Sequence, residues 1–191
     1  YVIFYSLLPV CFIAGSVLFA NRVKNWERGR PDNRALTAKN AKRRAEGFRA
    51  GVYMRTLLRD PAAGVMHSLI YFSFLILVAV TLVLEVDHLL PGDYKILVGR
   101  VYEAYSFVGD AAGVGLCAGV VWALVRRYVQ KPYRIRIKTK PEHLLGLLVL
   151  LSFSVTGFLT EGFRIARAGT PAWEKWSFVG YSIASLVQNL G

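Results

Sequence analysis

Cysteine and histidine are scarce in this sequence, with two of the first and three of the second in 191 residues. Cys11 and Cys117 each stand alone inside an apolar run without a CxxC partner. That excludes a disulfide framework and a zinc or iron–sulfur site built from this chain alone, and both read as small core residues. Acidic residues are few as well, 12 against 24 Lys and Arg. A soluble basic domain, such as a nucleic-acid binder, would spread its charge along amphipathic elements. Here charge and apolar residues fall in separate blocks of a chain that is 54% hydrophobic. Nucleic acid is therefore set aside as a partner, and the lipid bilayer takes its place.

What the sequence does have is long apolar runs. Crossing the hydrocarbon takes roughly 20 apolar residues as a helix, and five runs come near that length, at 1–20, 66–90, 102–125, 143–163 and 174–191. The first, "YVIFYSLLPVCFIAGSVLFA", has no basic stretch before it and no clear cleavage site after it, so it reads as a span rather than a signal peptide. The expected fold class is all-α, an integral membrane helical bundle of about five transmembrane helices forming a single membrane domain over 1–191. The chain opens on Tyr1 and stops inside "SFVGYSIASLVQNLG", and is expected to be the N-terminal part of a longer polypeptide.

Charge sets the expected orientation. Loop 21–64 carries twelve Lys or Arg, and loop 127–141, counted with Arg126, carries seven. The opposite connections, 84–100 and 160–175, carry two and three. The positive-inside bias then places the two basic loops in the cytoplasm and the N-terminus outside. Trp173, Trp176 and Tyr94 suit an interfacial belt, and equally suit ordinary packing. Part of loop 21–64 is expected to form surface helix, able to contact anionic lipid or an acidic protein, although orienting the spans is task enough for its charge.

Polar residues at membrane depth are the candidate functional groups. His67 and His143 sit at the cytoplasmic starts of the second and fourth runs, at similar depth. Ile70, Tyr71, Phe74 and Val78 follow His67 at helical spacing, a stripe able to flank a flat macrocycle, and Gly146 follows His143. Gly109, Gly113, Gly115 and Gly119 in the third run allow close approach of a neighbouring helix or of a cofactor. An imidazole in hydrocarbon calls for a partner and haem iron is one, while an imidazole in the headgroup layer needs only water. Asp110 lies about two turns within its span and must be paired, neutral or facing water. Glu161 and Arg164, at i and i+3, can pair with each other. Two zones are candidates for a quinone: an outer one around His88, Lys95, Arg100, Glu161 and Arg164, and the space near Asp110.

"GRPDNR" (29–34), "DPAAGVMHSLIYFSFLIL" (60–77) and "EHLLGLLVLLSFSVTGFLTEGFRIA" (142–166) resemble the membrane domain of heterodisulfide-reductase-related iron–sulfur membrane proteins. That domain is similar to the gamma subunit of respiratory nitrate reductase, and occurs in membrane-bound electron-transfer-flavoprotein:menaquinone oxidoreductases. The resemblance implies a cytochrome b-like bundle in the inner (cytoplasmic) membrane that holds haem b and passes electrons between cytoplasmic Fe–S clusters and menaquinone or another quinone. His67 matches the family's haem-ligating histidine. The nitrate reductase subunit has a second histidine about ten residues further along that helix; Leu77 stands there in this chain, so one haem is implied. The trans ligand is then a residue beyond Gly191 or, on depth alone, His143. The Fe–S clusters belong to a continuation or a partner subunit, and an electron-transfer flavoprotein is an implied partner.

The expected function is therefore the haem- and quinone-bearing module of a respiratory quinone oxidoreductase. The rivals are a haem-free anchor or transporter subunit, with Asp110 lining a polar path, and a scaffold whose basic loop recruits a partner.

Overall fold

The computed structural model describes residues 2–28, 35, 37–53, 60–132 and 141–190. Within them the chain forms six α-helices: α1 (Val2–Glu27), α2 (Ala38–Val52), α3 (Pro61–Leu89), α4 (Gly99–Leu124), α5 (Pro141–Arg167) and α6 (Phe178–Leu190). Short 3-10 turns at Gly92–Tyr94 and Ala172–Trp176 precede α4 and α6, and α4 runs on through π-helical turns over Val125–Gln130. The motif "GRPDNR" lies outside the described residues, as does 133–140 of the second basic loop.

The chain divides into two compact units, Tyr1–Ala50 and Gly51–Gly191. The first holds α1 and most of α2. Helix α2 confirms that part of loop 21–64 is helical, and none of its residues is buried. The second unit is built on α4.

Three helices are long and apolar enough to cross a membrane: Pro61–Leu89, α4 with its π-helical extension (Gly99–Gln130), and Pro141–Arg167. The apolar stretch of α4 is far more buried than those of α3 and α5, so α4 is the inner helix and α3 and α5 flank it. Phe72, Leu75, Ile76 and Leu82 of α3 and Leu145, Phe153 and Phe163 of α5 are exposed; an apolar surface of that extent suits lipid, not water. The protein is a helical membrane protein. The first apolar run is helical as α1, and the last gives a 13-residue helix, α6, about 20 Å long at 1.5 Å per residue. Neither is among the three helices that meet the length and apolarity needed to cross.

Helix boundaries differ from those read in the sequence. Helix α3 starts at Pro61 instead of 66, because Asp60 Oδ1 accepts a hydrogen bond from Ala63 N (3.2 Å) and Pro61 takes a first-turn position where its missing N–H costs nothing. His67 therefore stands in the second turn, not the first. Residues 127–130, assigned to a loop, continue the third span.

Glycines set the spacing on both sides of α4. A Cβ on Gly119 would meet Ile70 at 2.7 Å, and one on Gly115 would meet Ser73 Oγ at 2.5 Å, both on α3. A Cβ on Gly113 would meet the Phe158 ring of α5 at 2.5 Å. These glycines thus serve neighbouring helices, one of the two uses open from sequence. The pairings show α3 and α5 antiparallel to α4 and parallel to each other. At the far end Gly162 of α5 admits Ile183 of α6, which a Cβ would meet at 2.5 Å.

Candidate functional site

The groove between α3 and α5, floored by α4, encloses a cavity of about 550 Å³. Phe74, Val78 and Thr81 of α3 face Leu150, Phe153 and Gly157 of α5 across it, and Gly109, Asp110 and Gly113 form its floor. Its walls are apolar. Tyr105, Asp110 and Glu161, all toward the α6 end, supply its chemistry.

Asp110 is 1% exposed. Its Oδ2 accepts from Val179 N (2.6 Å), Gly180 N (3.3 Å) and Ser177 Oγ (3.2 Å). The carboxylate thus caps the first turn of α6 from across the bundle, where the helix dipole favours negative charge and the first N–H groups have no intrahelical acceptor. This answers how a carboxylate survives at that depth: it is paired with a helix terminus. Oδ1 is buried without a hydrogen-bond partner. Glu161 stands beside this helix start, since a Cβ on Gly180 would meet Ser177 Oγ at 2.8 Å and Glu161 Cγ at 2.9 Å, and Tyr105 OH donates to Val80 O at 3.0 Å.

The outer zone separates into parts. Arg164 Nη1 donates to Glu174 Oε1 at 2.8 Å, and its Nη2 donates to Glu174 Oε2 at 3.2 Å and to Tyr102 OH at 3.0 Å. Glu161 is 3.7 Å from Arg164, so the i, i+3 pair exists but is secondary to Glu174, which is 3% exposed. Tyr102 donates to the same carboxylate at 2.9 Å. This cluster ties α4 and α5 to the turn before α6. His88 is exposed at the end of α3, and neither it nor Arg164 lines the cavity. Lys95 and the Ile96 and Leu97 amides bind Asp87 (Ile96 N 2.6 Å, Leu97 N 2.9 Å), shaping the α3–α4 connection. Of the four residues assigned to a quinone, then, Asp110 and Glu161 meet at one cavity while His88 and Arg164 stand elsewhere.

His67 and His143 are both exposed, and neither makes a hydrogen bond within the described residues. Seven residues, two turns, separate His67 from Phe74 and His143 from Leu150. Since positions seven apart nearly superpose on a helix, each imidazole is carried on the groove-facing stripe of its helix, beyond the end of the cavity away from α6. Nothing lies within 4 Å of a Cβ built on Gly146. The charged neighbours of His67 are Arg126 and Arg127 at the end of α4, and Arg126 pairs with Asp60 at 2.5 Å. Among the described residues no three His, Cys, Asp or Glu side chains gather as a metal cluster, and Cys11 and Cys117 are free thiols.

Sequence reasoning missed Ser177, Glu174, Tyr102, Tyr105 and Arg126. The Asp-Pro pair at 60–61 was a legible helix start. Glu174 and Ser177 gave no local signal, because Glu174 binds Arg164 and Tyr102, 10 and 72 residues away, and Ser177 binds Asp110, 67 residues away.

No family model matches the chain, and no solved structure matches it. Over 112 residues, 58% of the chain, it is 33% identical to the EtfAB:quinone oxidoreductase of Syntrophomonas wolfei subsp. wolfei. Over 82 residues, 43% of the chain, it is 27% identical to a Bacillus subtilis protein named "Probable iron-sulfur-binding oxidoreductase FadF". The matched stretches are 15% and 12% of those proteins' lengths. By these matches the chain is related to part of two oxidoreductases, one named for a quinone and the other for iron–sulfur binding.

Proposed function

We propose that this chain is the membrane module of a respiratory oxidoreductase, exchanging electrons between cytoplasmic iron–sulfur clusters and a quinone of the bilayer. The observation that carries the reading is the groove of α3, α4 and α5. A quinone needs apolar walls for its ring and tail and a small number of polar groups for its oxygens. The groove offers the walls along Phe74–Thr81 and Leu150–Gly157, and the polar groups in Tyr105, Asp110 and Glu161. The names of the two relatives point the same way. The iron–sulfur clusters, and a flavoprotein donor, belong to a continuation or partner of this chain.

The second cofactor of the reading is one haem b. Two exposed imidazoles on the groove-facing stripes of parallel helices support it, as does the absence of any atom within 4 Å of a Cβ on Gly146. His67 would hold the haem iron, together with His143 or a residue beyond Gly191. Arg127 and Arg126 are the charged groups around His67; Arg126 is paired with Asp60, which leaves Arg127 as a cationic partner for carboxylate substituents. When bound, haem supplies one-electron transfer at a potential set by its ligands and burial. The chain's own work is to hold the ring at the end of the groove opposite the Asp110–Glu161 pair. The transporter alternative would need Asp110 on a polar path, and its three donors tie it instead to α6.

Photolabelling tests the quinone site. An azido-naphthoquinone with a short tail, added to the purified protein and irradiated, is expected to label peptides 74–84 and 150–161; labelling elsewhere only overturns the groove as its site. A reduced-minus-oxidised absorption spectrum tests the haem. It should show a b-type signal that His67→Leu abolishes; an unshifted full signal in that variant sinks the ligand assignment. His143→Leu removes the low-spin signal if His143 is the second ligand and spares it if the ligand lies beyond Gly191.

A further inference from the structure

Asp110 and Glu161 are two carboxyl groups at the same end of the groove, and the surroundings of each differ. Asp110 Oδ2 receives three donors at the start of α6, which is an environment for an ionised carboxylate. Its Oδ1, in a side chain 1% exposed, has no donor among the described residues. Glu161 lines the same end of the cavity and is pressed against the start of α6 beside that carboxylate: Gly180 N donates to Asp110 Oδ2 at 3.3 Å, and a Cβ on Gly180 would meet Glu161 Cγ at 2.9 Å. Two ionised carboxylates side by side at this end of the groove would repel and leave Oδ1 empty. One proton resolves both faults, since a carboxylic acid on Glu161 donates to the orphaned oxygen. The cation nearest Glu161, Arg164 at 3.7 Å, is already held by Glu174.

Resting on the quinone reading of the groove, we infer that Asp110 and Glu161 share one proton, with Asp110 ionised and Glu161 protonated, and that Glu161 passes this proton to a quinone oxygen when the quinone is reduced. The balance is that of a two-electron reduction. The quinone takes two electrons from a one-electron carrier of the haem or iron–sulfur class and two protons, and its two carbonyls become hydroxyls. One proton leaves the Glu161 carboxyl and the other comes from water at the groove mouth. Glu161 takes a further proton from water only when the quinol leaves the groove, so the acid is missing while the quinol is bound. Quinol oxidation runs the same steps backwards. Asp110 in this scheme is a positioning residue, because its charge is fixed by α6 and it serves to hold the acid on its neighbour.

The test is electrochemically induced infrared difference spectroscopy on the purified protein loaded with a short-chain naphthoquinone, with the electrode and a mediator supplying electrons. The expected result is loss of a carboxylic-acid carbonyl band on quinone reduction, with the band shifted in heavy water and missing in Glu161→Gln. The amide of Glu161→Gln can still donate to Asp110, so the variant should fold and keep its quinone bands. A wild-type protein with quinone bands but no acid band, or a Glu161→Gln protein that keeps the acid band, overturns the shared proton. A wild-type protein with no bound-quinone bands overturns the quinone reading itself.

Discussion

A carboxylate inside a membrane span survives because of what surrounds it, and Asp110 shows how. Its three donors all sit at the head of another helix. Asp110→Ala leaves buried N–H groups at Val179 and Gly180 without an acceptor, and each such group costs about 1–3 kcal/mol. The expected destabilisation is about 2–4 kcal/mol, read as a lower midpoint of thermal unfolding in detergent. Asp110→Asn keeps an acceptor but not the charge, and should lose about 1 kcal/mol, the usual worth of a charge at a helix end. The Arg164–Glu174 pair behaves differently, because Arg164 is half exposed while Glu174 is buried. Solvent screens the attraction, so Glu174→Gln should cost about 1–2 kcal/mol instead of the larger loss of breaking a buried pair. A double-mutant cycle with Tyr102→Phe checks whether the phenol, which donates to the same carboxylate, is coupled to it.

At the scale of the helix, close approach depends on glycines whose neighbours leave no room. Gly119→Leu would drive a side chain into Ile70, whose backbone N lies 3.2 Å from a Cβ there, and overpacking of that kind costs about 1–3 kcal/mol. A Cβ on Gly146 meets nothing within 4 Å, so Gly146→Leu should leave the unfolding midpoint unchanged. The same Gly146→Leu protein also reads on the haem proposal, since a leucine one turn from His143 should weaken the haem signal without loss of fold if the ring lies over that open space. An unfolding midpoint lowered as much by Gly146→Leu as by Gly119→Leu would contradict the packing described.

For the whole molecule, orientation follows from where the bilayer's two faces meet the basic segments. With 19 of 24 Lys and Arg in or beside the two basic loops, the positive-inside bias predicts that α2 faces the cytoplasm. In a background free of Cys11 and Cys117, Lys39→Cys should resist a membrane-impermeant maleimide added to intact cells and react once the cells are opened. Reaction in intact cells would reverse the orientation.

Much of the architecture was legible in the linear chain because hydrocarbon imposes a length and a composition on every helix that crosses it. The runs at 66–90, 102–125 and 143–163 emerge as α3, α4 and α5, with ends displaced by caps such as Asp60 that hydropathy does not register. The small-residue spacing of Gly113, Gly115 and Gly119 announced close packing, but their partners Phe158, Ser73 and Ile70 are fixed only when the helices assemble. The sequence singled out Asp110 and Glu161 as polar groups out of place in lipid. Tertiary structure alone decided that they meet at one end of a groove, and that Arg164 and His88, equally conspicuous in the sequence, do not line it. The physical reason is range: hydropathy and helix caps act within a few turns of the chain, while the hydrogen bonds of Asp110 span 67 to 70 residues.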